Sequence, residues 1–451
     1  MILTKDRRYN FIGIGGIGMS GIARILNNRG FNIAGSDKDT TTNIVKDMIA
    51  EGITVYSSHN SENVQDKDIL VISDAIKKDN PELIRATELG LLVYKRADLL
   101  TALVNNNKGI TISGTHGKTT TSGMISQIVI TAKLDPTCIL GGEMRTIGGN
   151  ARNGKSDIVI AEACEAYNSF IELESYIGVV NNIEVDHLDF HKTAENLYNS
   201  FAKFIRQSVI SVINGDDENA KRLISYANKP ITFGVNADND YIISINADKT
   251  FSLKDTKNDI VYDNLSVNMP GKYNIYNATA ATITCLNLGI SIEDIRKGLL
   301  EFPGMGRRFE LLGKYNETDV IDDYAHHPTE ILSVLSGAKE RYKGNIIAVF
   351  QPHLFSRTRD FLTEFAESLK SADILYLAPI YPARELPIEG IDHKKIREVM
   401  GPRGEKVICL ESLTDGASQI SKLNMTSDDL IITIGAGDVN KIGYSLVNDT
   451  K

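Results

Sequence analysis

The sequence predicts an α/β protein built from parallel sheets in about three domains. Short apolar runs alternate with helix-length segments along the chain, a pattern typical of parallel strands covered by helices. The length of 451 residues gives the domain number, at roughly 150 residues per domain. The predicted strands include residues 11–15, 68–73, 109–113, 157–161, 177–182, 345–350, 373–378 and 430–435.

Two segments predict the domain boundaries. The first lies near residues 94–97, before the helix-like ADLLTALVNNN, and the second is the turn PGMGRRFE at 303–310. The polar, Asp- and Asn-rich stretch 236–268 contains short alternating runs and predicts a small antiparallel excursion in the middle domain. The expected domains are therefore 1–97, 98–306 and 307–451.

The composition excludes several classes of protein. Hydrophobic residues make up 42% and charged residues 24% of the chain, which is enough for a packed core. A net charge of −9 argues against nucleic acid as the main partner. We expect no membrane span, because no apolar run approaches about 18 residues. The N-terminus lacks the apolar region of a signal peptide, and the four cysteines form no CxxC pair, so we expect a cytoplasmic protein with reduced thiols.

The first glycine-rich loop lies between a predicted strand and the helix-like MSGIARILNNRG. In Gly13-Ile14-Gly15-Gly16-Ile17-Gly18, three glycines fit the pattern G-x-G-x-x-G, and Asp37 follows near the end of the next predicted strand. Small residues at these positions let the backbone approach a pyrophosphate at a helix N-terminus. The ligand could be NAD or another diphosphate such as a UDP-sugar. A tight turn without a ligand is the structural alternative.

The second glycine-rich loop, GTHGKTTT, also follows a predicted strand and opens a helix. It resembles a P-loop, in which backbone N–H groups surround phosphates, Lys118 neutralises their charge and Thr119 can bind Mg²⁺. A solvated lysine at a helix start is the alternative. An ordinary dehydrogenase does not need a second phosphate site, so the two loops indicate two phosphorylated ligands, one of them ATP. The predicted ATP-binding loop comprises Gly114, Thr115, His116, Gly117, Lys118, Thr119 and Thr120.

Seven segments together carry a family resemblance. In order they are GTHGKTTT, AEACEAYNSF, NNIEVDHLDFH, NIYNATAA, GMGRRFE, IDDYAHHPTEI and FQPHLFSRT. They resemble the motif set of the Mur ligases, and the resemblance covers nearly the whole chain. It implies a Rossmann-like N-terminal domain for the UDP-sugar, a central P-loop-type ATPase domain and a Rossmann-like C-terminal domain for the amino acid. The implied reaction is ATP-dependent joining of an amino acid to a muramyl carboxylate through an acyl phosphate.

The front segments GIGGIGMSG and GSD favour one branch of the family. For that branch the resemblance implies UDP-N-acetylmuramate, L-alanine and ATP as substrates, and we expect a monomer or weak homodimer. Addition of a whole tripeptide to the same sugar is the alternative within the family. A nicotinamide-dependent oxidoreductase and an ATP-binding transport or regulatory module are the alternatives outside it. The predicted UDP-sugar site comprises Gly13, Gly15, Gly16, Gly18, Asp37 and His59.

The resemblance also implies the residues that act on ATP. Lys118 would hold the γ-phosphate, and Thr119, Glu162 and His187 would bind Mg²⁺, with two ions expected. The segment that contains Glu162 often reads AEADESD in relatives and reads AEACEAY here. With Cys164 and Ala166 as the departures, Glu162 is the expected ligand and Glu165 is the other candidate. The nucleotide set further includes Asn274 and Asn277 for adenine, Arg308 at the hinge and Asp323 for the ribose.

The residues themselves leave alternatives at several of these positions. His187 could be a capping or core histidine, and Asn274 and Asn277 could be a helix cap and a surface residue. Arg308 could belong to a solvated linker. Arg357 could belong to a surface arginine pair. These alternatives stay open on the sequence alone.

The amino-acid site is the last part that the resemblance implies. His327, His353 and Arg357 would surround the incoming amino acid. Leu354 stands where relatives often carry a basic residue, so recognition of the carboxylate should depend on Arg357, whose forked guanidinium suits it. The adjacent histidines at 326–327 lack the spacing and cysteines of a zinc site, so we expect no transition metal.

Overall fold

The computed structural model describes residues 3–184, 188–248, 250–383 and 385–448. The chain forms two compact units, Met1–Val267 with Ile275–Pro303, and Asn268–Asn274 with Gly304–Lys451. The first unit carries two sheets and the second unit carries one. Within the described ranges, no helix is long and apolar enough to cross a membrane. The predicted boundaries near residues 97 and 306 stay a prediction.

The first sheet is parallel throughout, with strand order β3-β2-β1-β4-β5. Strand β1 lies between β2 and β4, so the strand order reverses beside it, and the carboxyl ends of these strands form the crevice where open α/β sheets bind ligands. The strands are β1 Arg8–Ile12, β2 Asn32–Ser36, β3 Thr54–Tyr56, β4 Ile69–Ile72 and β5 Leu92–Lys95. The helices are α1 Ile17–Asn28, α2 Asn43–Ala50, α3 Pro81–Glu88 and α4 Arg96–Asn105.

The second sheet has ten strands in the order β15-β14-β13-β12-β11-β10-β6-β9-β7-β8. Strands β13 to β15 pair antiparallel, as predicted for the stretch 236–268, and they extend the sheet at one edge. The strands are β6 Lys108–Ser113, β7 Thr137–Met144, β8 Gly149–Arg152, β9 Ile158–Glu162, β10 Ile177–Val180, β11 Ile210–Asn214, β12 Pro230–Gly234, β13 Tyr241–Ile245, β14 Phe251–Asp255 and β15 Ile260–Leu265. The α-helices of this part are α5 Lys118–Thr131, α6 Leu188–His191, α7 Ala194–Arg206, α8 Glu218–Lys221, α9 Lys272–Asn287 and α10 Ile292–Glu301.

Helix α7 illustrates how the sequence forms this unit. The Thr193 hydroxyl accepts from the Asn196 N–H at 3.1 Å and caps the helix. Apolar side chains recur at helical spacing, and Phe201 and Phe204 are fully buried against the ring of Phe170, with ring centroids 5.2 Å away in both cases. The helix is therefore held on the sheet by one apolar face.

The third sheet has the order β16-β17-β21-β18-β19-β20, and only the β16–β17 pair is antiparallel. The strands are β16 Glu310–Tyr315, β17 Thr318–Asp323, β18 Ile346–Phe350, β19 Ile374–Leu377, β20 Ile408–Cys409 and β21 Leu430–Ile434. The helices are α11 Pro328–Arg341, α12 Phe355–Asp360, α13 Leu362–Leu369, α14 Lys394–Val399, α15 Leu413–Ile420 and α16 Asn440–Asn448. Three sheet-containing parts with mainly parallel strands and flanking helices confirm the predicted α/β class.

One predicted strand is displaced. The apolar run at residues 11–15 indicated a strand there, but β1 spans Arg8–Ile12. The strand takes in the polar Asn10, which is fully buried, and it ends before the glycines because they form the turn into α1. The apolar run FIGIG continues into these glycines, so the sequence pattern places the strand about three residues too late.

Candidate active site

The first glycine-rich loop is anchored to β2 and to Asp37. Gly13 and Ile14 donate their N–H groups to the Ser36 carbonyl at 2.8 and 3.0 Å. The Gly15 N–H donates to Asp37 Oδ2 at 2.8 Å. A Cβ on Gly15 would lie 2.7 Å from Val45 Cγ2, so the loop can keep this path only with glycine there. The structure thus brings the predicted Asp37 directly onto the loop.

His59 joins a buried polar network at the carboxyl end of β2. Its Nδ1 lies 2.8 Å from the Ser36 hydroxyl, which donates to Glu82 Oε2 at 2.7 Å. Glu82 is fully buried and also accepts from Asn63 Nδ2 at 2.6 Å. Glu82 was not predicted as a site residue, although an acid that follows Asn-Pro at a helix start is a recognisable first-turn position.

The second glycine-rich loop connects β6 to α5 and is held by two asparagines, Asn181 and Asn182, that follow β10. The Asn182 carbonyl accepts from the Thr115 N–H at 3.1 Å, and its side-chain oxygen accepts from the His116 N–H at 2.8 Å. Asn181 Nδ2 donates to Thr121 Oγ1 at 3.0 Å. These two asparagines were not predicted as site residues. Their position directly after a buried strand was the available signal.

Lys118 is the first residue of α5, and its ammonium group is fully engaged. Nζ donates to the Gly114 and Thr115 carbonyls at 2.5 and 3.1 Å, and to both carboxylate oxygens of Glu165 at 3.0 and 3.1 Å. Burial disfavours the ammonium form, but Glu165 beside it outweighs that effect, so the pKa of Lys118 is raised. The lysine therefore stays charged at the loop.

Glu162 ends β9 and faces the first turn of α5. Its Oε2 accepts from the Thr119 hydroxyl at 3.2 Å, and its Oε1 accepts from the Ser122 hydroxyl at 3.3 Å and from the Gly141 N–H at 2.6 Å. A carboxylate and a threonine hydroxyl are the oxygen donors that Mg²⁺ prefers, so the residues present fit this ion. His187, the third predicted ligand, lies outside the described residues.

The two predicted adenine contacts lie on helix α9 but have different surroundings. Asn277 is buried at the second glycine-rich loop, where its Oδ1 accepts from the Thr121 hydroxyl at 3.2 Å. A Cβ on Gly117, where φ is +81°, would overlap that same amide oxygen. Asn274 Nδ2 donates to the Pro270 carbonyl at 2.7 Å, just before the helix begins. Their role toward adenine stays a prediction.

In the second unit, the segment before β16 is fixed to the carboxyl end of β17. Arg307 donates to Asp322 Oδ2 at 2.9 Å and to the Gly435 and Gly437 carbonyls at 2.7 and 3.0 Å. Asp323 accepts from the Phe309 and Ala325 N–H groups, both at 2.8 Å.

The burial of Asp323 and the position of Arg308 define the electrostatics there. Burial raises the pKa of Asp323 to about 6, although Arg308 opposes the shift. The Arg308 guanidinium lies 5.2 Å from the centre of the Tyr324 ring. The predicted contacts of Asp323 and Arg308 with the nucleotide stay predictions.

The predicted amino-acid residues gather at the carboxyl ends of β17 and β18. The ring of His353 stacks on Tyr381 at 5.7 Å between centroids and lies 6.1 Å from the ring of His326. Burial lowers the pKa of His326, and the positive charge of Arg357 nearby lowers it further. The ring of His327 packs edge-on against Phe361 at 4.9 Å. This edge of the third sheet therefore combines the guanidinium of Arg357 with three histidines, an arrangement that suits a carboxylate ligand.

Arg357 and Arg359 are not an equivalent surface pair. Arg359 is about half exposed and forms an ion pair with Asp360, whereas Arg357 lies near His326. Their helix, α12, follows Leu354, whose φ of +72° is unusual for a side chain of this kind. Glu385 accepts from the Ser356 N–H at 3.0 Å and from its hydroxyl at 2.5 Å, and so fixes the start of the helix.

Three family models match consecutive segments of the chain. The model described as Mur ligase family, catalytic domain, matches residues 8–108. The Mur ligase middle domain matches residues 112–285. The model described as Mur ligase, glutamate ligase domain, matches residues 307–437.

Similar proteins extend over the same length. A UDP-N-acetylmuramate–L-alanine ligase of Acetivibrio thermocellus is 41% identical, over 99% of this chain and 97% of that protein. Another, of Clostridium acetobutylicum, is 42% identical over 97% of each. The crystal structure of a UDP-N-acetylmuramate-alanine ligase from Thermotoga maritima matches with a TM-score of 0.83 and 26% identity, over 98% of this chain and 99% of that one. A murein peptide ligase from Psychrobacter arcticus shares the fold, with a TM-score of 0.73 at 22% identity and 98% coverage of both chains.

The family models together match most of the chain, and the alanine-ligase relatives match it almost from end to end. Several of the motifs that carried the resemblance lie at the carboxyl ends of strands: GTHGKTTT at β6, AEACEAYNSF at β9 and FQPHLFSRT at β18. This chain belongs to the Mur ligase family.

Proposed function

We propose that this protein joins L-alanine to the carboxylate of UDP-N-acetylmuramate and splits ATP into ADP and phosphate, a step of peptidoglycan precursor synthesis. The observation that carries the proposal is the 41–42% identity to ligases of that name over nearly the whole chain. The two glycine-rich loops support it, because one suits the diphosphate of a UDP-sugar and the other suits the phosphates of ATP.

The reaction has two steps. In the first, a carboxylate oxygen of the sugar attacks the γ-phosphorus of ATP, and ADP leaves. In the second, the alanine amine attacks the acyl carbon, and phosphate leaves with the oxygen that the carboxylate contributed. Lys118 holds a positive charge where the phosphoryl group passes, and it is oriented by Glu165 and by the Gly114 and Thr115 carbonyls. In the second unit, Arg357 is the proposed partner of the alanine carboxylate.

Mg²⁺ is the proposed cofactor, with two ions per active site. Thr119 and Glu162 would hold one ion through oxygen atoms, and His187 is the proposed ligand of the second. Bound Mg²⁺ would neutralise phosphate charge. The hydroxyl of Ser122 and the N–H of Gly141 fix Glu162 in place independently of any ion.

The remaining proposals concern organisation and location. Residues 1–97 would bind the UDP-sugar, 98–306 would bind ATP, and 307–451 would bind the amino acid. The protein would act in the cytoplasm, where ATP is available, as a monomer or weak homodimer. Light scattering would measure this oligomeric state directly.

The alternatives are less well supported. The peptide-adding ligases among the similar structures are only 22–23% identical to this chain, and that similarity supports a shared fold and no more. A nicotinamide-dependent oxidoreductase would leave the second glycine-rich loop without a ligand.

Two measurements test the proposal. Thermal denaturation should shift upward with Mg-ATP and with UDP-N-acetylmuramate, and it should not shift with NADH. Phosphate release in the presence of Mg-ATP, UDP-N-acetylmuramate and one amino acid at a time should be fastest with L-alanine. Stabilisation by NADH, or phosphate release that requires the tripeptide, would contradict the proposal.

A further inference from the structure

Arg96 lies against the first glycine-rich loop, although it is distant from that loop in sequence. It is the first residue of α4, directly after β5. A Cβ built on Gly18 would be 3.2 Å from Arg96 Cδ, 3.5 Å from its Nη1 and 3.6 Å from its Nε. The guanidinium therefore rests on the first turn of α1, so close that a Cβ at position 18 would crowd the arginine side chain.

The charge of Arg96 has no partner among the residues that the structure describes. Across the described part of the chain, its guanidinium forms no hydrogen bond or ion pair. Other basic residues of the same sheet do have partners: Arg8 pairs with Asp68 at 2.7 Å, and the adjacent Lys95 pairs with Asp74 at 3.0 Å. A partly buried charge without a partner is costly, so this position indicates that a ligand supplies the negative charge.

The helix start beside Arg96 is itself suited to an anion. Helix α1 is twelve residues long, its N-cap Gly16 has no side chain to accept from the first-turn N–H groups, and that turn contains no acidic residue. Free N–H groups and the helix dipole favour a negatively charged group there. Asp37 accepts from the Gly15 N–H, which precedes the helix, and from the Asp39 N–H.

Arg96 also lies near Cys164, the residue before Glu165, which pairs with Lys118. Burial raises the pKa of Cys164, as does the neighbouring Glu165, while the positive charges of Lys118 and Arg96 act in the opposite direction. Arg96 thus contacts the first glycine-rich loop and lies near the segment whose Glu165 holds Lys118.

We infer that Arg96 binds the diphosphate of the UDP-sugar, which its guanidinium holds against the N-terminus of α1. The inference rests on the proposed function and adds a binding residue to it. A guanidinium can donate two parallel hydrogen bonds to phosphate oxygens, which an ammonium group cannot do. Arg96 would therefore position the sugar so that its carboxylate reaches Lys118.

Calorimetry with UDP, UMP and UDP-N-acetylmuramate tests the inference on the full-length chain. Arg96→Gln should weaken binding of UDP and UDP-N-acetylmuramate by at least about tenfold, the effect of losing a charge-assisted hydrogen bond. UMP and Mg-ATP should bind as in the wild type. Arg96→Lys should show an intermediate loss, and it serves as the second variant if Arg96→Gln does not fold. Lys95→Gln, at the adjacent exposed position, is the matched control and should bind every ligand normally.

Two outcomes would overturn the assignment of Arg96 alone. The first is wild-type affinity of both variants for UDP. The second is a loss confined to UDP-N-acetylmuramate with UDP unaffected, which would assign Arg96 to the sugar carboxylate. Failure of the wild-type protein to bind UDP-N-acetylmuramate would instead overturn the proposed function, and the inference with it.

Discussion

Lys118 Nζ lies 3.0 and 3.1 Å from the two carboxylate oxygens of Glu165, a residue that is 2% exposed. The lysine of the phosphate loop is thus neutralised by a buried acid of the protein. A nucleotide phosphate that binds at this loop has to share Lys118 with Glu165. This pairing gives Glu165 a function different from that of Glu162, which faces Thr119.

Removal of the lysine should affect stability as well as activity. Lys118→Ala leaves Glu165 buried without its partner, so we expect a loss of about 3–5 kcal/mol in unfolding free energy. Phosphate release should fall by about 10²-fold or more. Lys118→Ala/Glu165→Gln should recover part of the stability and none of the activity. Urea unfolding and phosphate assays measure both. Equal stability of the single and double variants would argue against the buried pair.

The two glutamates should differ in their response to Mg²⁺. Glu162→Gln should raise the Mg²⁺ concentration needed for half-maximal rate and sharply lower kcat, because it replaces a charged carboxylate ligand beside Thr119 with a neutral amide. Glu165→Gln is the matched control, and its Mg²⁺ requirement should change little. The measurement is a Mg²⁺ titration of phosphate release. If the control shows the larger shift, Glu165 is the ligand.

Much of the fold could be predicted from the sequence, because buried parallel strands appear as continuous apolar runs. The glycine-rich loops and the acid at the end of β9 were predictable because polar or glycine residues that directly follow an apolar strand mark a ligand site. Glu162 is the last residue of β9, and the loop that leads to Lys118 follows β6.

Residues that act through distant contacts could not be predicted in this way. Arg96 meets Gly18, and Glu82 meets Ser36, only because the strand order brings β1, β2, β4 and β5 together. Nothing in their local sequence specifies those neighbours. The sequence indicates Glu165 as a second candidate acid, but its pairing with Lys118 depends on the path of the chain after β9.

The first glycine-rich loop should be sensitive to a side chain at position 15. Gly15→Val would place atoms against Val45 and displace the hydrogen bond from Gly15 to Asp37. We expect weaker binding of UDP-N-acetylmuramate, and we expect the affinity for Mg-ATP to be retained as the internal control. Calorimetry measures both. Loss of ATP affinity to the same extent would mean that the variant disrupts the whole unit.

Substitution of the two arginines of α12 should have different effects on the KM for alanine. Arg357→Lys keeps the charge but loses the fork, so the KM for alanine should rise strongly while the KM values for ATP and the UDP-sugar change little. Arg359→Lys is the matched control, because Arg359 is exposed and pairs with Asp360. Loss of a residue that contacts alanine should change the alanine KM by more than about twofold. An alanine KM within about twofold of wild type, together with a raised ATP KM, would therefore assign Arg357 to the nucleotide site.

Asp323 should make stability depend on pH. Burial raises the pKa of Asp323 to about 6, so the folded protein holds this proton more tightly than the unfolded chain does. The stabilising contribution is complete below the ordinary carboxyl pKa, near pH 4, and is lost as pH rises through about 6. The loss should be about 3 kcal/mol, at about 1.4 kcal/mol per pKa unit.

Asp323→Asn cannot titrate and supplies the reference. The difference in unfolding free energy between the wild type and this variant should decrease from pH 4 to pH 7 in urea titrations. A difference that is constant or increases over this range would mean that the Asp323 carboxyl is already ionised at low pH.

The central claim, ligation of L-alanine through an acyl phosphate, is tested most directly by following one oxygen atom. UDP-N-acetylmuramate with heavy oxygen in its carboxylate is incubated with Mg-ATP and L-alanine, and the products are analysed by mass spectrometry. We predict UDP-N-acetylmuramoyl-L-alanine together with phosphate that carries one heavy oxygen from the sugar. Unlabelled phosphate, or the absence of the alanyl product while ATP is consumed, would contradict the account.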